Sequence, residues 1–126
     1  MEVHTPHTEL ELSEIISAAK GPFAISGLAT KSELGRPMAA PEQLSLAKFS
    51  GVTVYEPEEL ILEAGAATRL DEVLALLDSK SQMLAFEPPD FSAVLGSAHA
   101  GSLGGLLATG FAGSRRIKSG SVRDHV

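Results

Sequence analysis

Phe23-Ala24-Ile25-Ser26-Gly27-Leu28-Ala29-Thr30-Lys31-Ser32 is the stretch on which the reading of the fold depends. A short apolar run, Phe23–Ser26, leads into glycine and then into small, hydroxylated and cationic residues. That is the pattern of a buried strand that delivers the chain into a loop. A glycine-bearing loop after a strand exposes successive backbone N–H groups, and Thr30, Lys31 and Ser32 add two hydroxyls and an ammonium, which suits a phosphate-bearing ligand. A second segment, Gly101-Ser102-Leu103-Gly104-Gly105, has the same character and runs into Leu106–Thr109. Neither loop matches GxxxxGK[ST] or GxGxxG, so a P-loop nucleotidase and an ordinary nicotinamide dehydrogenase are unsupported. Taken alone, each loop reads more readily as a plain turn.

Working outward, Thr8-x-x-Glu11 has the form of a capping box, and Leu12, Ile15, Ile16 and Ala19 recur at helical spacing up to Gly21-Pro22. This predicts a helix over 9–20. Strands are expected at 43–49, 52–55 and 60–66. Thr68 is expected to cap a helix reaching about residue 79, with Leu70, Val73, Leu74 and Leu77 as its apolar stripe. Residues 82–86 read as another strand before Glu87-Pro88-Pro89, and 103–109 as a helix entered through glycines. Residues 1–8 are expected to be a mobile tail. The pattern predicts one domain over residues 1–126, α/β or α+β, with a small sheet flanked by helices.

Composition narrows the function. The 126 residues carry a formal net charge of −6 and no cysteine. Disulfides, thiolate nucleophiles and cysteine-held metals are therefore excluded. The charge is segregated: only one of the sixteen acidic residues follows position 90, whereas Arg115, Arg116, Lys118 and Arg123 all do. This basic end suits a compact anion or an acidic partner. It lacks interleaved aromatics and belongs to an acidic chain, so nucleic acid is not expected. No apolar run approaches the roughly 18 residues of a membrane span, and the acidic start is unlike a secretory signal. A cytoplasmic protein is expected.

Among single residues, His99 reads as an ordinary histidine and Glu87 as structural. Glu56, Glu58, Glu59 and Glu63 read as a solvated acidic run. His4 and His7 make no metal site without further ligands. No side chain reads as a catalytic base.

Three longer stretches carry more information than the glycines: Thr30-Lys31-Ser32-Glu33-Leu34-Gly35-Arg36-Pro37, then Gln82-Met83-Leu84-Ala85-Phe86-Glu87-Pro88-Pro89, and Ser102 to Val126. Together they resemble the FAD-binding subunits of bacterial glycolate oxidases, within the vanillyl-alcohol-oxidase or PCMH type of FAD-linked oxidases. The resemblance covers Phe23 to Val126. It implies the N-terminal portion of a PCMH-type FAD-binding domain, with FAD as cofactor. Gly27, Leu28, Ala29, Thr30, Lys31 and Ser32 would lie on the pyrophosphate, with Gly35 closing the turn. Gly101, Ser102, Leu103, Gly104 and Gly105 would continue the diphosphate and ribityl contacts, and Gly110, Gly120 and Asp124 would pass along the dinucleotide. Leu28 stands where the family commonly has a second glycine, which predicts crowding of the phosphate there.

The implied activity is oxidation of a small 2-hydroxy acid, glycolate, by hydride transfer to flavin. The implied partners are a second flavin subunit and an iron–sulfur subunit, through which the protein would sit peripherally at the inner membrane. The base and the substrate pocket would lie outside this chain. The alternative is a non-catalytic docking or assembly module that binds no FAD by itself.

Overall fold

The computed structural model describes residues 2–126. A parallel three-stranded sheet is built from β1 (Glu2–His4), β2 (Phe23–Ser26) and β3 (Glu42–Ser45). Its order is β1-β3-β2, with Glu42 of the central strand aligned to both Glu2 and Phe23. Parallel neighbours need long connections. Helix α1 (Glu9–Ala18) and the loop 27–41 therefore occupy the crossings. At the start of α1, the Thr8 hydroxyl accepts from the Glu11 amide and the Glu11 carboxylate accepts from the His7 amide. Those bonds satisfy amides that a helix start leaves orphaned. The helix buries none of its residues.

Glu2–His4 is the first departure from expectation. These residues lie in the sheet rather than in a mobile tail, and Pro6 behind them is among the most completely buried side chains. The strand is too short to show a period, and its acidic and imidazole side chains read as tail. The β3 ladder ends at Ser45, earlier than expected, because after the Leu46 amide bonds to the Ser26 carbonyl the chain curls back with Phe49 N–H on Leu46 C=O.

A separate antiparallel ribbon pairs β4 (Val52–Glu56) with β5 (Ile61–Ala64), with a register shift between Val52 and Val54. Pro57 opens the single 3₁₀ turn that joins them, and Leu60 leaves it in the left-handed region at φ 58°. Glu56, Glu58, Glu59 and Glu63 are all exposed.

Helix α2 (Leu70–Asp78) buries Leu70, Val73 and Leu77. Leu74, expected in the stripe, is 40% exposed. Thr68 does not cap this helix: Arg69 holds that position without a side-chain cap bond. Thr68 is instead buried, and its hydroxyl accepts from Gly51 N–H at 2.9 Å and donates to Gly51 C=O at 3.2 Å. It ties the helix approach to the start of the ribbon.

The stretch 82–86, expected as a strand, has no strand partner. The Gln82 amide closes α2 on Leu77 C=O, while its side chain accepts from Tyr55 OH and donates to Pro57 C=O. The remaining elements are short: α3 (Ser92–Leu95), α4 (Leu103–Thr109), α5 (Arg116–Ser119) and a 3₁₀ turn at Val122–Asp124. Leu70, Phe86, Leu106 and Val122 form the buried cluster that joins α2, α4 and that final turn. The chain is α+β, as the sequence predicts.

Removing the Thr68 hydroxyl while keeping its volume leaves the Gly51 amide without its partner. Thr68→Val is expected to destabilise the fold by about 0.5–1.5 kcal/mol, the net contribution of a typical hydrogen bond. A lowered urea midpoint checks this.

A second expectation concerns acid. The Ser121 amide and hydroxyl donate to the Asp124 carboxylate at 2.7 and 2.9 Å, and they hold its pKa below the ordinary 3.8. The resulting stabilisation is complete above the ordinary value and fades as pH falls through the depressed one. Asp124→Ala is therefore expected to lower the melting temperature near neutrality, with the difference from the parent closing as pH drops below 3.8.

Candidate cofactor cleft

Strands β2 and β3 are parallel, so their carboxyl ends point the same way, and the loop leaving β2 overhangs that edge. The carboxyl edge of an open parallel sheet is where ligands of α/β proteins lodge. A cleft of about 770 Å³ opens there. Gly27 to Ser32 form one wall, and Ser102, Gly104 and Gly105 form another. The two glycine-bearing segments, seventy residues apart in sequence, thus face a common space.

Contacts between the walls are close. The Lys31 ammonium donates to Ala100 C=O at 3.2 Å. A Cβ built on Gly101 would stand 2.7 Å from Lys31 Nζ and from Thr30 Oγ1, and Gly101 has φ +106°. Only glycine meets both demands.

The two segments differ in what their amides are free to do. On the second, Leu103 N–H donates to Thr68 C=O, Gly104 N–H to Ala66 C=O at 2.7 Å, and Gly105 N–H to Ser102 Oγ. The space at Gly104 is filled from behind, since a Cβ there would lie 2.8 Å from the Ala66 oxygen. On the first segment, the amides of Leu28, Ala29, Thr30 and Lys31 take no intramolecular partner among the described residues. Four consecutive free N–H groups beside an ammonium form an anion-accepting loop.

Leu28, where the family commonly has a second glycine, is not in the left-handed region. The left-handed residue is Ala29, at φ 53°. An L-residue holds that conformation at a cost of order 1 kcal/mol, a strain of the kind found at ligand-holding loops.

Residues not singled out from sequence complete the cleft. Arg36 adds a second cation, while Ala24, Ile25, Met38 and Leu46 add apolar surface. Thr109, also on the lining, turns its hydroxyl to the Gly105 and Leu106 carbonyls. No Asp or Glu lines the cleft, although the protein's net charge is −6. The parallel pairing of β2 and β3 would have pointed to Arg36 and Met38, because their loop has to cross the carboxyl edge of the sheet.

Other residues of the sequence-based assignment lie elsewhere. Leu103 packs against the buried cluster, and Gly110 closes α4 in the left-handed region with its amide on Leu106 C=O. Gly120 fits beside Asp124, where a Cβ would come within 2.9 Å of the carboxylate, and Asp124 caps the final turn. None of Gly101, Leu103, Gly110, Gly120 or Asp124 lines the cleft. Neither do Arg115, Arg116, Lys118 and Arg123. Glu87 is structural in geometry, accepting the Arg115 amide at 2.8 Å. His99 Nδ1 is buried without a partner.

The cleft fits a dinucleotide diphosphate in three respects. It has the volume of a cofactor site, residues with free amides and two cations line it, and apolar side chains line it as well.

The known proteins agree. No solved structure matches the chain. The glycolate oxidase subunit GlcE of Escherichia coli (strain K12) is 39% identical over 107 residues, which are 85% of this chain and 29% of the relative. The chain thus spans less than a third of the curated relative it matches. Residues 2–126 match the family model described as FAD binding domain, and the chain belongs to that family, whose cofactor is FAD.

Proposed function

We infer that this chain holds the diphosphate of FAD within the FAD-binding subunit of a glycolate oxidase. The observation that carries the reading is the cleft: four unpartnered amides and two cations, with no carboxylate, in an acidic protein. The relative's name supplies the activity, oxidation of glycolate, and the family supplies the cofactor. FAD, when bound, supplies the hydride acceptor.

The chain's own residues bind and orient. The amides of Leu28 to Lys31 would donate to the diphosphate oxygens, and Lys31, steadied by Ala100 C=O, would neutralise charge beside them. Gly101 leaves the room that the Lys31 ammonium occupies, and Leu28, Met38 and Leu46 would help to exclude water from a bound cofactor. No residue of the cleft is placed to take a proton from a 2-hydroxy acid. The base and the substrate pocket belong to another part of the protein or to the partners, a second flavin subunit and an iron–sulfur subunit.

A second reading, a docking module, is favoured by one specific observation. Helix α1 buries nothing, and Ile117 is fully exposed between Arg116 and Lys118.

Calorimetric titration separates the two. FAD is expected to bind saturably and FMN, which lacks the adenylate and its second phosphate, more weakly. Lys31→Ala and Arg36→Ala are each expected to weaken FAD by about tenfold or more, since a charge-assisted hydrogen bond contributes roughly 1.5–3 kcal/mol. Folded variants that bind FAD as the parent does would remove the cleft assignment. A folded parent that binds no FAD but retains the partner subunits would establish the docking reading.

A further inference from the structure

A second group of donors lies on the opposite side of the parallel sheet's edge from the cofactor cleft, and nothing in the flavin reading uses it. Glu2 and His4 are two apart on β1, so they share a face. Glu42 of β3 is the direct neighbour of Glu2 in register. The Glu2 and Glu42 carboxylates and the His4 imidazole bring one ligand atom each within 4.8 Å of one another. His4 Nε2 and Glu42 Oε2 are already 2.7 Å apart. From sequence His4 lacks co-ligands. The fold supplies them, one from 38 residues away.

Two physical features make this more than a surface ion pair. Like charges placed opposite each other on adjacent strands destabilise the pairing, and here they sit on a three-residue edge strand that has little else to hold it. In addition, the group opens into its own cavity of about 440 Å³, roofed by the C-terminal half of α1, where Glu14 faces it. The charged and titratable groups lining that cavity are Glu2, His4, Glu14 and Glu42, opposed by Lys20 alone. Three carboxylates and an imidazole against one ammonium leave a negative cavity that a divalent cation would neutralise.

The geometry points to a structural site for a divalent transition-metal ion, Zn²⁺ in chemical class, held by Glu2, His4 and Glu42. One imidazole nitrogen with carboxylate oxygens suits zinc and its neighbours better than magnesium or calcium, which prefer all-oxygen shells. Ligand bonds of about 2 Å in a tetrahedron place donors roughly 3.3 Å apart, a spacing reached by small side-chain rotations from the present one. Glu14 or water completes the shell from the cavity. The ion takes the place of the direct His4–Glu42 contact. It fastens β1 to β3 and leaves the flavin cleft untouched.

The test is calorimetric titration of the chelator-treated protein with Zn²⁺ alone, alongside His4→Ala, Glu42→Gln and Glu2→Gln. One ion per chain is expected, with affinity reduced at least tenfold in each variant and increased protection of the β1 amides from hydrogen exchange when zinc is present. If His4→Ala fails to fold, Glu2→Gln, at an exposed position, decides. Equal affinity in the folded variants, loss of binding only in His7→Ala or His125→Ala, or no saturable binding would each overturn the site. Unchanged FAD affinity with and without zinc is expected, so failure of the flavin reading and failure of this one give different results.

Discussion

Residues Gly65 to Leu70 are bonded from two sides at once, and the arrangement of the rest follows from that. On one side Gly65 N–H reaches Gly51 C=O, Ala67 N–H reaches Phe49 C=O, and the Thr68 hydroxyl exchanges two bonds with Gly51. On the other side Leu70 N–H takes Gly101 C=O, while Thr68 and Ala66 carbonyls receive the amides of Leu103 and Gly104. Such a strip tolerates no side chain where its neighbours approach. At Gly65 a Cβ would fall 2.4 Å from the Phe49 oxygen, and the backbone on that flank has nowhere to retreat. Ala67 and Thr68 are almost wholly buried for the same reason. The strip also fixes the two ends of the buried cluster, because Leu70 begins α2 just as Leu103 begins α4.

A division of labour between the glycine-bearing loops comes out of this constraint. The amides that begin α4 are consumed in holding the strip, so the glycines at 104 and 105 serve close packing and present a smooth wall to the cleft. The loop after β2 has no such duty. Its amides at Leu28 to Lys31 stay free and its strain is concentrated at Ala29. Free amides cost little where water reaches them and become binding groups once a phosphate displaces that water. One loop therefore spends its amides on the fold and the other keeps them free, although in sequence they look alike.

Local signals were legible and long-range partnerships were not. Helix α4 appears at its predicted bounds, and α1 starts at its predicted capping box, because caps and periodicity are written within a few residues. The strand at Phe23–Ser26 and its outgoing loop were likewise readable. Thr68 looked like a cap since threonine before an acidic pair usually is one, and only the distant Gly51 explains its burial. Gln82 sits in a run that resembles a strand, but its side chain spans the ribbon from Tyr55 to Pro57. The edge strand Glu2–His4 was hidden because the strand it pairs with, Glu42–Ser45, lies far along the chain. Arg36 was quoted within a motif yet not recognised as a wall of the cleft, since the loop that carries it has no periodicity to place it.

Charge segregation along the chain suggests at first that the basic end serves the cofactor, and the lining of the cleft does not include it. None of its four cations lines the cleft. The cleft is electropositive through Lys31 and Arg36 alone, two residues inside the acidic part of the sequence. The sign of a site is set by the few side chains that face it, and carboxylates kept off its walls matter as much as cations placed on them. The basic end is then available for contact with something else. Arg115 and Arg116 flank the start of α5, Lys118 follows one residue later, and the intervening Ile117 is wholly exposed. That exposed apolar residue and its cationic neighbours in sequence lie outside the lining of the cleft.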